Sequence, residues 1–308
     1  MHGVRRDRAR RARLREGARL SVDYVCARSL EEALNALALD GTPAHVLAGG
    51  TDLMVELRTG RTKPARVVDV WKLAELRGVR EEAGGLRLGA LTTCAELARD
   101  PCVAKAASAL VAVARDVGAE QIQARATLGG NLGTASPAGD LCVVLVALGA
   151  RVRLRSLRGV RELDAEAFLC GYRSTLRERD ELIESILIPA RPAGERQLWR
   201  KLGTRRAQSI SKVALAVCMA FDGGRVSAVR AAAGAVGPRI LRLAKLEQEL
   251  MGARVDAALA RGAGAASARL DVAPIDDVRS TGDYRRHALA RMLATAIREL
   301  SEGPVCRS

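Results

Sequence analysis

The chain has 308 residues, 48% of them hydrophobic, which is enough for two domains with buried cores. Its longest apolar runs, residues 141–150 and 213–221, are far shorter than the roughly 18 residues of a membrane-spanning helix, so no membrane span is expected. The net charge of +15 would suit a nucleic-acid-binding protein. However, the first 20 residues contain eight Arg and only two acidic residues, Asp7 and Glu16, so they carry +6 of that charge. The chain also has only two Phe, three Tyr and two Trp, which offer few aromatic rings for base stacking.

Residues 1–20 are predicted to form an Arg-rich disordered tail, because they hold little apolar material and no secretory h-region follows them. A start codon placed too far upstream would produce the same segment. The seven cysteines contain no C-x-x-C pair, which favours small buried side chains in a reduced compartment. We therefore expect a cytoplasmic protein.

The first quarter of the chain predicts a small parallel α/β unit. A strand at 21–26 is followed by a helix to residue 39, capped by Ser29 with Glu32 in a capping box. An apolar strand at 45–48 runs directly into Gly49-Gly50-Thr51-Asp52, and a β-branched strand follows at 66–70.

A second α/β unit and a C-terminal domain are predicted to follow. The second unit has strands at 86–88, 152–154 and 184–188, helices at 103–116 and 141–148, a helix capped by Thr92 or Thr93, and a second glycine turn at 127–133. Pro189 and Pro192 mark its end. Beyond them the pattern predicts an antiparallel sheet with a hairpin at 222–224, helices at 240–251 and 283–300, and a surface helix with a loop at 257–268.

The two glycine turns are candidate anion sites. Without Cβ atoms, the backbone can approach a pyrophosphate closely and aim several N–H groups at it. The first turn alone is more typical of an ordinary tight turn than of an anion site. Two such turns, the second being Thr127-Leu128-Gly129-Gly130-Asn131, indicate one ligand held between two units. Neither matches a G-x-G-x-x-G fingerprint or a P-loop.

Four segments in order resemble the FAD-binding medium subunits of the molybdenum hydroxylases, the xanthine dehydrogenase and carbon monoxide dehydrogenase family. The matching segments are 48–53, 127–140, 201–213 and 274–285. The resemblance implies an α+β fold: a PCMH-type FAD-binding domain at 21–194, made of two α/β subdomains at about 21–80 and 81–194, and a C-terminal domain at 195–304 with a three-stranded antiparallel sheet and helices.

The resemblance also implies which residues contact FAD. These residues form two groups. The first would wrap the pyrophosphate from one side, and the second would lie on its opposite side or contact the rest of the nucleotide. The first group is Val46, Leu47, Ala48, Gly49, Gly50, Thr51, Asp52 and Leu53, and the second is Thr127, Gly129, Gly130, Asn131, Thr134, Asp140, Ile183 and Lys201. Ile183 could instead be a core strand residue, and Asp140 could be a simple N-cap.

The implied function is electron transfer. A partner subunit with molybdopterin would oxidise the substrate, and a small subunit with [2Fe-2S] clusters would pass electrons to FAD here, with NAD, O2 or a quinone as acceptor. Thr51 stands where covalently linked relatives often have His, so the FAD is expected to be non-covalent, and no catalytic residue or metal site is expected. A stand-alone flavin oxidase and a basic nucleic-acid-binding module are the alternatives. The substrate and the stoichiometry of the complex stay open.

Overall fold

The computed structural model describes residues 22–206 and 208–303. The predicted tail at residues 1–20, and Ser21 at the start of the first predicted strand, lie outside these residues. The strands and helices fall into three parts: a first α/β unit, a second unit built on a larger sheet, and a C-terminal domain.

The first unit is the predicted parallel α/β unit. Its elements are β1 (Asp23–Cys26), α1 (Leu30–Ala38), β2 (Ala44–Leu47), α2 (Leu53–Thr59) and β3 (Arg66–Asp69), with 3-10 turns at Leu39–Gly41 and Ala74–Leu76. The strands are parallel in the order β1-β3-β2. Ser29 caps α1 as predicted, accepting from the N–H of Glu32, but the Glu32 carboxylate accepts from the N–H of Arg28 and not of Ser29.

The second unit is an antiparallel five-stranded sheet covered by helices. The strands are β4 (Val79–Glu82), β5 (Gly85–Gly89), β6 (Arg151–Ser156), β7 (Gly159–Asp164) and β10 (Leu182–Pro189), in the order β4-β5-β10-β6-β7, and a small ladder joins β8 (Leu169–Gly171) to β9 (Ser174–Thr175). The helices are α3 (Cys94–Leu97), α4 (Pro101–Ala106), α5 (Ser108–Asp116), α6 (Glu120–Gln123), α7 (Leu128–Thr134), α8 (Asp140–Ala147) and α9 (Ala165–Phe168). Helix α8 is buried along its whole length and lies in the core of this unit.

Two sequence predictions in this unit were wrong in detail. The segment at 127–133 was expected to be a glycine turn, but its glycines lie inside α7, because Thr127 caps that helix by accepting from the N–H of Gly130. The helix expected at 103–116 is two helices, since Ala107 has a non-helical backbone. Thr93, not Thr92, caps α3 and forms a complete capping box with Glu96.

The C-terminal domain has four antiparallel strands and not three. They are β11 (Arg196–Leu202), β12 (Val213–Asp222), β13 (Arg225–Gly234) and β14 (Leu241–Arg242), followed by α10 (Ala244–Leu250), α11 (Ala257–Leu270) and α12 (Gly282–Glu302). Strand β14 is two residues long, too short for an alternating pattern, and it was assigned to the helix predicted at 240–251. The hairpin at 222–224 is present as predicted, and the helix and loop expected at 257–268 are one continuous helix.

The C-terminal domain packs on the helices of the second unit. The Trp199 indole N–H donates to the Asp116 carboxylate at 2.7 Å, and the Gln197 side chain bonds the backbone of Ala106 and Ala109. Among the helices within 22–206 and 208–303, none is long and apolar enough to cross a membrane.

Candidate functional site

A cleft of about 1880 Å³ lies where the three parts meet, and all three line it. Pockets of about 300–1000 Å³ hold drug-sized ligands, so this cleft has room for a larger dinucleotide. Fifteen of the sixteen residues implied by the resemblance line it: Val46, Ala48, Gly49, Gly50, Thr51, Asp52, Leu53, Thr127, Gly129, Gly130, Asn131, Thr134, Asp140, Ile183 and Lys201. Leu47 is the exception, although its side chain lies beside Gly50.

The loop after β2 carries a row of unused backbone donors. Among the hydrogen bonds of the described residues, the N–H groups of Gly50, Thr51 and Asp52 have no acceptor. Gly50 is left-handed, with φ +77°, and Asp52 is right-handed at the start of α2. Successive N–H groups on a backbone of alternating hand form a concave anion-binding site. This loop therefore fits a pyrophosphate.

The second glycine segment differs, because its N–H groups are already used. Leu128 donates to the carbonyl of Thr92 at 3.0 Å, Gly129 to that of Ala90 at 2.8 Å, and Gly130 to the Thr127 hydroxyl at 3.0 Å. Asn131 also lines the cleft. The Asn131 Oδ1 accepts from the N–H of Cys142, which leaves its NH₂ group as the available donor.

Two of the glycines are required because another chain segment packs directly against them. A Cβ on Gly49 would lie 1.6 Å from the carbonyl oxygen of Arg125, and a Cβ on Gly129 would lie 2.7 Å from the Cβ of Ala90. The sequence interpretation explained both glycines by close approach to an anion. The structure adds that both positions hold two chain segments in contact.

Asp140 joins helix α8 of the second unit to the C-terminal domain. It is the first residue of α8, and Gly139 is the N-cap, so the N-cap alternative for Asp140 is wrong. Its carboxylate accepts from Lys201 Nζ at 2.5 Å and from Ser211 Oγ at 2.6 Å. Burial raises the pKa of Asp140, and the Lys201 ammonium and Ser211 hydroxyl oppose that shift. The pair thus fixes the two walls of the cleft to one another.

Ile183 is a core strand residue, as one of the two interpretations expected, and it also reaches the cleft. It is a buried residue of β10 and pairs with Leu154, and it also lines the cleft beside Gly133. A break in the β-ladder between Ile183 and Ser185 lies at this position.

Several lining residues were not identified from the sequence. Arg173, between β8 and β9, forms ion pairs with Glu56 and with Asp52, the latter at 3.9 Å, and so connects this hairpin to the first glycine loop. Arg285 is buried and donates to the carbonyls of Lys212 and Ala235 and to Asp277. No spacing in the sequence brings these arginines to one cleft. The described residues contain no cluster of His, Cys, Asp and Glu that could hold a metal.

Comparison with known proteins gives a family match for each of the two domains, the FAD-binding domain and the C-terminal domain. Residues 20–191 match the family "FAD binding domain in molybdopterin dehydrogenase", and residues 200–300 match "CO dehydrogenase flavoprotein C-terminal domain". The xanthine dehydrogenase FAD-binding subunit of Escherichia coli O157:H7 is 31% identical over 90% of this chain and 94% of its own length.

Solved structures agree with this. Carbon monoxide dehydrogenase from Hydrogenophaga pseudoflava has a chain with a TM-score of 0.87 and 29% identity, covering 91% of this chain and 96% of that one. A chain of quinoline 2-oxidoreductase from Pseudomonas putida has a TM-score of 0.86 and 28% identity, and the match covers 92% of this chain and 98% of that one. Since family models match both domains and relatives are similar over nearly their full lengths, this chain belongs to the FAD-binding medium subunits of the molybdenum hydroxylase family.

Proposed function

We propose that this chain holds FAD non-covalently in the cleft and transfers electrons within a molybdenum hydroxylase complex. In this proposal, electrons come from [2Fe-2S] clusters of a small partner subunit, and substrate is oxidised on a large subunit with molybdopterin. NAD is the proposed acceptor, with O2 or a quinone as alternatives. The observation that carries the proposal is the row of unused N–H groups at Gly50, Thr51 and Asp52 in a cleft of about 1880 Å³.

FAD, when bound, accepts electrons singly and releases them as a pair, so it links one-electron and two-electron partners. The residues of this chain bind and orient it. The loop at 49–52 would receive the pyrophosphate, with Thr127, Asn131 and Thr134 on the opposite wall. Asp140 and Lys201 would fix the C-terminal wall, and Ile183 would supply an apolar contact.

Non-covalent binding is supported by the residues that line the cleft. His45 is the only histidine among the described lining residues, and none of them is cysteine. The His45 Nε2 lies 3.1 Å from the Thr62 hydroxyl, and its Nδ1 is buried. Neither nitrogen is placed as an open nucleophile. Acid precipitation should therefore release the flavin, and colour retained by the precipitate would contradict non-covalent binding.

The relatives support a role that does not select the substrate. Their names refer to xanthine, carbon monoxide and quinoline, which are chemically unlike, although their chains are similar to this one over about nine tenths of its length. A subunit that is similar in proteins with such different substrates is expected to contribute electron transfer, with the substrate pocket on another chain. We infer the same division of labour here.

Anaerobic flavin reduction tests the proposal. The purified chain should show the visible absorption of oxidised flavin, and purines, aldehydes or N-heterocycles should not bleach it. NADH should reduce it if NAD is the acceptor. Bleaching by these substrates should require the molybdopterin and iron–sulfur subunits. Rapid bleaching of the isolated chain by such a substrate would overturn the electron-transfer role and indicate a stand-alone oxidase.

A further inference from the structure

Trp71, just after β3, lies outside the cleft and carries two stacked arginines. The guanidinium carbon of Arg125 is 3.6 Å from the centre of the indole ring, and that of Arg77 is 4.3 Å away. Arg77 also donates to the carbonyl of Trp71 at 2.9 Å and to that of Leu91 at 3.3 Å. The indole is therefore a fixed platform between the first and second units.

Arg125 connects this platform to the first glycine loop. Its Nε donates to the carbonyl of Gly49 at 3.2 Å. The peptide bond is planar, and none of the described residues has a cis peptide, so the Gly49 carbonyl and the Gly50 N–H point in opposite directions. Holding the carbonyl on Arg125 directs the Gly50 N–H away from Arg125, and Gly50 lines the cleft whereas Arg125 does not.

We propose that Arg125, stacked on Trp71, is a positioning residue that sets the Gly49–Gly50 peptide in the orientation that binds the cofactor's pyrophosphate. This inference rests on the proposed function. A peptide between two glycines meets little steric resistance to rotation, so the Arg125 bond supplies the constraint. Arg125 is itself exposed, and stacking on Trp71 keeps its guanidinium in place.

The test measures the FAD dissociation constant and the melting temperature of the apo chain. Arg125→Ala and Trp71→Leu should each weaken FAD binding about tenfold, the size expected from one hydrogen bond and one cation–π contact. Trp71→Phe keeps an aromatic ring and should restore most of the affinity. Arg115→Ala is the matched control, because Arg115 is an exposed arginine that donates to one carbonyl, of Ala98, away from the cleft.

The double variant separates positioning from general destabilisation. Because both side chains act through one contact, Arg125→Ala with Trp71→Leu should bind FAD no more weakly than the worse single variant. ADP, which keeps the pyrophosphate and lacks the flavin, should lose affinity in the same proportion. Additive losses, or equal losses in Arg115→Ala, would overturn the inference. If the wild-type chain binds no FAD, the proposed function fails; if it binds FAD and the variants bind equally well, only the positioning role fails.

Discussion

Adjacent glycines in the first loop have different tasks. Gly49 packs against the Arg125 carbonyl, whereas Gly50 has left-handed φ and an unused N–H. A side chain at Gly49 would separate two units, but a Cβ at Gly50 would meet only the side chains of Met54 at 3.2 Å and Leu47 at 3.4 Å. Both neighbouring side chains are flexible, so glycine is required at position 50 by its left-handed backbone and not by lack of space.

Gly50→Ala should therefore impair FAD binding more than folding. Left-handed backbone costs a non-glycine residue about 1–2 kcal/mol, and relaxing that strain would rotate the N–H groups of the loop. We expect FAD affinity to fall at least about tenfold while the apo chain stays folded. Gly49→Ala should instead lower the melting temperature of the apo chain. Calorimetry of both apo variants, with FAD titration, distinguishes them, and an unchanged FAD affinity in Gly50→Ala would contradict the pyrophosphate role.

The Asp140–Lys201 pair should matter for stability as well as for the cofactor. Side-chain exposure is 9% for Asp140 and 12% for Lys201, so removing one charge leaves the other buried without its ionic partner. We expect Asp140→Asn to reduce the free energy of unfolding by about 3–5 kcal/mol and to weaken FAD binding.

Asp140→Asn with Lys201→Met is the matched control for that variant. The double change removes both charges, so it should recover much of the stability lost in Asp140→Asn. Urea unfolding at neutral pH measures each value. A double variant less stable than the single one would show that the pair stabilises the interface by more than mutual neutralisation.

Ion pairs between neighbouring strands of the five-stranded sheet make the stability of the fold depend on pH. Glu162 on β7 accepts from Arg153 on β6 at 2.8 Å and from Arg87 on β5 at 3.0 Å. Burial acts to raise the pKa of Glu162, but these two arginines outweigh it and hold the pKa below the ordinary value of 4.5. A carboxylate whose pKa is lowered by folding stabilises the fold at pH values above its pKa in the unfolded chain. That stabilisation is lost as the pH falls through its pKa in the folded chain.

Glu162→Gln should remove this dependence. The melting temperature of the wild-type chain should exceed that of Glu162→Gln by a constant amount above about pH 5.5, and the difference should shrink as pH falls below the ordinary Glu value of 4.5. Glu299→Gln, at an exposed carboxylate on α12, is the control. A difference that stays constant down to pH 3 would show that the ion pairs do not lower the pKa of Glu162.

Across the whole molecule, the C-terminal domain completes the cleft. The N–H of Ala235 donates to the carbonyl of Pro137 at 2.7 Å, next to the Asp140 pair. The Arg285 guanidinium donates to the carbonyl of the same residue, Ala235, at 2.6 Å. The cleft is therefore assembled by contacts between domains, and neither domain alone has all of its walls.

The Arg-rich start of the chain should be dispensable for cofactor binding. The family match begins at residue 20, and the described lining of the cleft begins at Pro43. Deleting residues 1–19 is expected to leave the ratio of FAD to protein unchanged, as measured by absorbance after gel filtration. Loss of FAD in the truncated chain, with the fold retained, would show that this segment takes part in the site.

The sequence by itself determined the local structure and the family. Periodicity and turn residues predicted the parallel unit, the buried helix α8 and the hairpin at 222–224, because strand alternation, helix caps and glycine turns are encoded by near neighbours. It did not predict β14, since a two-residue strand exists only through its pairing with β13. Nor did it place the Gly-rich segment in α7, where tertiary bonds from Leu128 and Gly129 override a low helix propensity.

Only the tertiary structure decided how the two glycine segments divide their work. In the sequence they have the same chemistry. The N–H groups of Leu128 and Gly129 bond to the backbone near α3, while those of Gly50, Thr51 and Asp52 have no acceptor in the part of the chain that the structure describes. Which donors remain free depends on partners far along the chain, such as Thr92 and Ala90. The same holds for Arg125 on Trp71, separated by 54 positions, because contacts of that kind leave no periodic signal in the sequence.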